Sequence, residues 1–159
     1  MDCRVEPGND ERERRRVDRM LTNTRKVRIE WGDCDPAGIV FYPRYFEMFE
    51  TCIAILFERA TGMTKYQMLR AYQFAGYPVV EARAKFSAPA KYGDDVVAET
   101  TIGEFRRSSF DVHHRVFNAA KLAVEGFETR VWVVRDPDDA SRIKAQAIPQ
   151  EIIAKFAQT

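Results

Sequence analysis

The stretch "EWGDCDPAGIVFYPRYFEMFE", Glu30 to Glu50, sets Asp33 and Asp35 one residue apart, then a proline and a glycine, ahead of an aromatic run. Such carboxylates are ionised at neutral pH and can attack a carbonyl or activate water. If the aromatic run is a helix, its first N–H groups lack intrahelical partners and lie at the positive end of the dipole. A polarised carbonyl held by those amides beside Asp35 would occupy an oxyanion site. The ordinary alternative is that Asp33 or Asp35 only caps the helix or organises an Asx-turn, and residue types alone favour it. Cys34 lies between two carboxylates that disfavour a thiolate, so it reads as a structural thiol.

The elements that must position these residues follow from apolar spacing. In "RKVRIEW", Val27, Ile29 and Trp31 alternate with Lys26, Arg28 and Glu30, the period of a half-buried strand starting near Arg25. From Tyr42 the period changes. Tyr45, Phe46, Phe49, Ile53, Leu56, Phe57 and Ala60 share one broad helical face, with Pro43 suited to the first turn and Gly62 to the stop. A shorter helix fits Lys65–Tyr72, before Gly76 and Pro78 break the pattern. "VVEARAKFSA", "DVVAETTIGEF", "SSFDVHHRVFN" and "KLAVEGFETRVWVV" read as strands, the last too long to be regular unless it bends near Gly126. A short strand around Ile143–Ile148 and a helix after Pro149 finish the chain. His113 and His114 are adjacent strand residues on opposite faces without metal-ligand company, so both read as structural. The predicted class is α+β, one long helix covering one face of a curved antiparallel sheet.

A chain of 159 residues with 45% hydrophobic residues suits a single domain, here residues 25–159, preceded by a polar tail over residues 1–24. The tail's "ERERRR" interleaves acids with its bases and reads as a solvated segment. A formal charge of +1 gives no global pull toward nucleic acid or an anionic membrane, so an anionic ligand must be met by a local patch. The three cysteines show no disulfide framework or zinc spacing, and no apolar run suits a membrane span or secretory signal. A cytoplasmic protein is the expectation.

"WGDCDPAGIVFYPRYFEMFE" resembles the signature of the hotdog-fold 4-hydroxybenzoyl-CoA thioesterases. The resemblance continues through "PVVEARAKFSAPAKYGDDVVAETTIGEFRRSSFDVHHRV" and "IKAQAIPQE", covering most of the chain from Arg25 onward. It implies a hotdog fold, in which a long central helix is wrapped by the sheet and its N-terminus is aimed at the thioester. By position, Asp35 is implied as the catalytic carboxylate, either nucleophile or general base, and the Tyr42 backbone N–H as donor to the thioester carbonyl oxygen. Asp33 is implied to brace the loop, and Gly38 to permit close backbone approach to the substrate.

The same resemblance assigns the coenzyme A phosphates to Arg106, Arg107, Ser108 and Ser109 in "EFRRSSF", with Lys144 in "IKAQAIP" standing where a relative carries arginine. Glu50 is implied near the far end of the acyl pocket, able to accept a phenolic hydrogen bond or to reach a cation of a partner subunit. Pro43 stands where the Tol-Pal-associated branch usually has histidine, which favours the hydroxybenzoyl-type branch. The implied reaction is hydrolysis of an acyl-CoA thioester, with an aromatic acyl group leading and a medium- or long-chain aliphatic one as alternative. A non-catalytic acyl-CoA-binding module is the rival outside enzymology. No metal or redox cofactor is implied, since coenzyme A is part of the substrate. The implied assembly is a homodimer with composite sites, or a dimer of dimers.

Overall fold

Three polar residues, Thr22, Asn23 and Thr24, start the first strand earlier than the alternation from Arg25 suggested. In the computed structural model, which describes residues 20–157, β1 spans Thr22–Arg28. Thr22, Asn23 and Thr24 pair with Thr101, Thr100 and Glu99, so the domain begins before the boundary at residue 25 drawn from sequence. The run Arg12–Arg16 lies outside the described residues. The strand also stops earlier than expected. Ile29 is buried, but Trp31–Asp33 turn into a short 3₁₀ segment, and Trp31 is exposed rather than facing the core.

The long helix α1 spans Pro43–Thr61, with Tyr42 as N-cap, Pro43 in the first turn and Gly62 closing it at φ +70°. Proline suits that entrance because its missing N–H has no intrahelical acceptor, and glycine suits the left-handed stop. Tyr45, Met48, Phe49, Cys52, Ile53, Leu56 and Phe57 form its buried stripe. The short α2, Lys65–Ala71, starts at a capping box between Thr64 and Gln67.

A five-stranded antiparallel sheet receives α1. Its order is β1, β4 (Asp95–Phe105), β5 (Ser109–Asn118), β6 (Lys121–Val131) and β3 (Val79–Phe86). A second sheet joins β2 (Phe74–Gly76), β7 (Val133–Arg135) and β8 (Ile143–Ala145), and α3 (Gln150–Ala154) follows. The expected irregularity lies near Gly126 rather than at it: β6 passes Gly126 in register, carries an extra residue at Ala123 opposite β5, and is interrupted at Trp132, where the chain leaves one sheet for the other. Gly126 has a different task. A Cβ there would lie 2.4 Å from the Phe49 ring, so its hydrogen lets the helix aromatic settle on the sheet.

Two core clusters divide α1. Phe49, Cys52, Val96, Val116 and Val124 pack beneath its first half, whereas Ile53, Leu56, Phe57, Phe110 and Trp132 pack around its second. The helix does not cover the edge strand β3, where Val80 and Phe86 are exposed. Among the described residues, no helix is long and apolar enough to cross a membrane.

Candidate active site

Between β1 and α1 the chain makes a tight loop closed by its own polar groups. The Glu30 N–H donates to Asp33 Oδ2 at 2.9 Å, and the Phe41 N–H donates to the Asp33 carbonyl at 2.8 Å. Asp33 thus braces the loop. The Asp35 N–H donates to the Ile39 carbonyl at 2.9 Å, and the Gly38 N–H to the Asp35 carbonyl at 2.9 Å. Gly38 takes φ +77°, a region open to glycine at no steric cost. The loop is fastened to the segment before β4 by Val40 N–H to the Ala90 carbonyl, 2.9 Å, and by pairing of Ile39 with Lys91.

The geometry of Asp35 fits both readings of the sequence. Its Oδ1 accepts the Ala37 N–H at 2.8 Å, an Asx-turn that fixes the side chain. Its Oδ2 has no hydrogen-bond partner among the described residues, and the residue is half-buried. At the helix entrance the Arg44 N–H reaches the Phe41 carbonyl at 2.9 Å and the Tyr45 N–H the Tyr42 carbonyl at 3.1 Å, while Pro43 has no N–H. The Tyr42 N–H is left without a hydrogen-bond partner among the described residues. Asp35 and Tyr42 line one cleft of about 520 Å³, walled by Ile39, Tyr45, Phe86 and Pro89. Phe86 lies 6.3 Å from the Tyr42 ring and 5.8 Å from the Tyr45 ring, centroid to centroid. Burial, with the Asp94 charge behind it, pushes the Tyr45 phenol above its ordinary pKa and keeps it neutral.

The residues assigned to coenzyme A gather elsewhere. Arg106 follows the end of β4, whereas the Asp35 loop is fastened just before its start, about 30 Å away along the strand. Arg107 and Ser108 approach the second sheet: the Ser108 carbonyl accepts the Trp132 N–H at 2.8 Å, and Lys144 pairs with Val134 on β7. Arg106, Arg107, Ser108, Ser109 and Lys144 therefore share one end of the molecule and do not reach Asp35 within one chain. The Arg106 guanidinium is already engaged, with Nη1 2.8 Å and Nη2 2.6 Å from the two Asp111 carboxylate oxygens and Nε donating to Ser109 Oγ at 3.0 Å. Arg107 is exposed and makes no ion pair among the described residues.

Glu50 is not in the wall of the Asp35 cleft, and its partners are cations of its own chain. Its Oε2 lies 2.8 Å from Arg130 Nη2, and its Oε1 3.4 Å from Lys65 Nζ. Burial pushes the Glu50 carboxyl upward, but the Arg130 guanidinium and then Lys65 outweigh it, so the pKa lies below its ordinary value. The histidines separate as expected from strand geometry. His114 is buried and stacks on Phe49 at 4.2 Å, while His113 on the opposite face pairs with Glu125 at 2.7 Å.

The pattern missed Phe86, Glu128 and Arg130. Phe86 was legible as an apolar strand residue, but its place in the cleft depends on β3 being an uncovered edge. Glu128 and Arg130 stand two apart on β6, which puts both on one face; that the face is the inner one required the register with β5.

Residues 37–124 match the Thioesterase superfamily, more than half of the chain. The chain belongs to that superfamily. Over 135 residues it is 33% identical to 4-hydroxybenzoyl-CoA thioesterase of Pseudomonas sp. strain CBS-3, covering 82% of this chain and 94% of that enzyme. Its fold matches, with a TM-score of 0.79 at 31% identity, the crystal structure of an aspartate-to-asparagine mutant of 4-hydroxybenzoyl-CoA thioesterase complexed with 4-hydroxybenzoyl-CoA, covering 86% of this chain and 99% of that one. A gentisyl-coenzyme A thioesterase matches at 29% identity and a TM-score of 0.70, covering 82% of this chain and 99% of that one. The hotdog architecture and thioesterase character implied by the opening motif thus hold for the whole domain.

Proposed function

We propose that this thioesterase hydrolyses an aromatic acyl-CoA, with 4-hydroxybenzoyl-CoA the leading substrate, at the Asp35 cleft. The observation that carries the reading is the pairing in one cleft of a fixed carboxylate with one oxygen unengaged and a helix-entrance N–H left without a partner, both among the described residues. Aromatic walls suit an aryl group, and the similar enzymes named for 4-hydroxybenzoyl and gentisyl esters support that class. The Tyr42 N–H would donate a hydrogen bond to the thioester oxygen as that oxygen gains negative charge. In one route Asp35 attacks the carbonyl carbon, the C–S bond breaks to release the coenzyme A thiolate, which takes a proton, and water cleaves the mixed anhydride. In the other, Asp35 removes a proton from water as the water attacks the carbonyl carbon, and the C–S bond then breaks to release the coenzyme A thiolate, which takes that proton. Both routes use the same carboxylate oxygen.

The separation of Asp35 from the Arg106–Ser109 turn supports a homodimer with composite sites. β3 is an edge strand with exposed Val80 and Phe86, a surface suited to pairing with a second copy. Its Phe86 end lies at the Asp35 cleft, and its Val79 end, paired with Arg130, lies near Ser109. Antiparallel pairing of two β3 edges about a two-fold axis brings the Arg106–Ser109 turn of one copy beside the cleft of the other. Neither chain alone would then hold a complete substrate.

A thiol-release assay with benzoyl-, 4-hydroxybenzoyl-, phenylacetyl-, hexanoyl- and palmitoyl-CoA tests the reading. The expected result is aromatic preference, with turnover lowered roughly 10²–10⁴-fold in Asp35→Asn. Activity rising with aliphatic chain length would overturn the substrate class, and undiminished turnover in Asp35→Asn would overturn the assignment of the carboxylate.

A further inference from the structure

The Asp35 loop is held by groups far from it in sequence. One wall of its cleft, Phe86 with Ser87, Ala88, Pro89 and Ala90, starts the connection from β3 to β4. The tip of the β5–β6 hairpin fastens that connection. The Ser87 and Ala88 N–H groups both donate to the Ala123 carbonyl, at 2.7 and 3.2 Å, and Ala123 is the extra residue that β6 carries opposite β5. At the end of β5, the Asn118 side-chain amide donates to Asp94 Oδ2 at 2.8 Å and lies 3.5 Å from the Pro89 carbonyl.

The turn from Lys91 to Asp94 grips the Asp35 loop at both ends. At its start, the Ile29 N–H donates to the Asp94 carbonyl at 2.8 Å and the Gly93 N–H to the Ile29 carbonyl at 2.9 Å. At its end, Val40 bonds Ala90 and Ile39 pairs with Lys91. Asp94 closes the turn, because the Oδ2 that receives Asn118 also accepts the Lys91 N–H at 2.9 Å. These two donors, Lys91 first, hold the Asp94 carboxyl below its ordinary pKa range, so it stays an ionised acceptor for both. A continuous path results: Asn118 to Asp94, Asp94 to Lys91, Lys91 to Ile39, and the Ile39 carbonyl to the Asp35 N–H at 2.9 Å.

The hairpin tip itself is strained. Ala119 and Ala120 take φ +48° and +62°, the signs of a type I′ turn, where asparagine and glycine are the usual residues. Such strain persists where the surroundings fix it, and here Asn118 and Ala123 tie the tip to the cleft wall.

We propose that Asn118 is a positioning residue for the Asp35 carboxylate, acting through Asp94 and the pairing of Lys91 with Ile39. The inference rests on the Asp35 reading above. It adds that the aim of the carboxylate is set from a hairpin that does not touch the substrate. An amide bonded to an ionised carboxylate is a strong brace, and a reacting group misplaced by about 1 Å can lose roughly 10²-fold in rate.

The test compares kcat and KM for one aromatic CoA ester in wild type, Asn118→Ala, Asn118→Asp, and the exchange of Asp94→Asn with Asn118→Asp. We expect kcat about tenfold lower in Asn118→Ala and lower still in Asn118→Asp, where two carboxylates meet, with KM within about twofold. The exchange should return kcat to within about threefold of wild type, since the new amide at position 94 can accept from Lys91 and donate to the carboxylate at position 118. Unchanged kcat in Asn118→Ala, or no recovery in the exchange, overturns the proposal. Ala120→Gly relieves the same turn and should raise Tm by about 2 °C with kcat unchanged. Added to Asn118→Ala, it separates positioning from stability: kcat that stays low as Tm recovers supports the brace, and kcat that recovers with Tm overturns it. Amide hydrogen exchange at Asp35 and Val40 reads the brace without turnover. Exchange about tenfold faster in Asn118→Ala supports it and unchanged exchange overturns it, whereas undiminished turnover in Asp35→Asn counts against the catalytic reading alone.

Discussion

The Asp33–Tyr42 loop and the Arg106–Ser109 turn stand at opposite ends of β4, and both present charge, yet they leave it in different states. In the loop, backbone groups satisfy one oxygen of Asp35 and leave the other unengaged among the described residues, facing an aromatic cleft. In the turn, Asp111 and Ser109 take up the Arg106 guanidinium, and Arg107 beside it is exposed. A charged residue at the right place in a motif is available for ligand only if its own chain has not used it first. By that criterion Asp35 and Arg107 are the stronger candidates for ligand contact, and Arg106 chiefly holds the turn in shape.

The sharpest break in the comparison is at the helix entrance. Tyr42 has φ −52°, which proline can adopt, so Tyr42→Pro removes the N–H with little change of backbone. We expect kcat to fall about 10²–10³-fold, while Tyr42→Ala, which loses the ring and keeps the N–H, falls far less. Equal losses in steady-state kinetics would assign the effect to the ring. At the other end of β4, Arg107→Ala should raise KM for the CoA ester about tenfold with kcat retained. Arg106→Ala should raise it only about threefold, because a phosphate would have to compete with Asp111. The reverse order of KM values would return Arg106 to the phosphate site.

The smallest effect concerns the turn's stability. Hydrogen bonds from Arg106 hold the Asp111 carboxyl below its ordinary range, against a smaller upward push from burial. A folded-state pKa below the unfolded one contributes stability that is present above about pH 4 and is lost as pH falls through the folded value. The Tm of wild type and Asp111→Asn should therefore converge on acidification below about pH 4. The gap at neutral pH should be modest, since both partners are partly solvated. A constant gap across that range would show that Asp111 acts by shape alone.

The local parts of this molecule were legible in its sequence. Pro43 and Gly62 delimit α1 because each answers a backbone requirement at a helix end, and the aspartates and glycine of the loop make bonds within eight residues of one another. Long-range partners were not legible. Glu50 and Arg130 are eighty positions apart, and nothing in "ETRVW" shows that the arginine faces the helix rather than water. Gly126 read as a bend because glycine weakens a strand, whereas here it admits the Phe49 ring. Strand periodicity likewise could not show that β3 lies at an edge with its helix-side residues uncovered, and the proposed composite site rests on that edge.

The most direct test of the whole account mixes Asp35→Asn and Arg107→Ala chains, with activity read at substrate well below KM. If the site is shared between two chains, each mixed dimer has one site with both changes and one with neither. Mixed dimers should then recover about half of wild-type activity, well above the mean of the two variants. Activity no higher than that mean would contradict a shared site and require Asp35 and Arg107 to work within one chain.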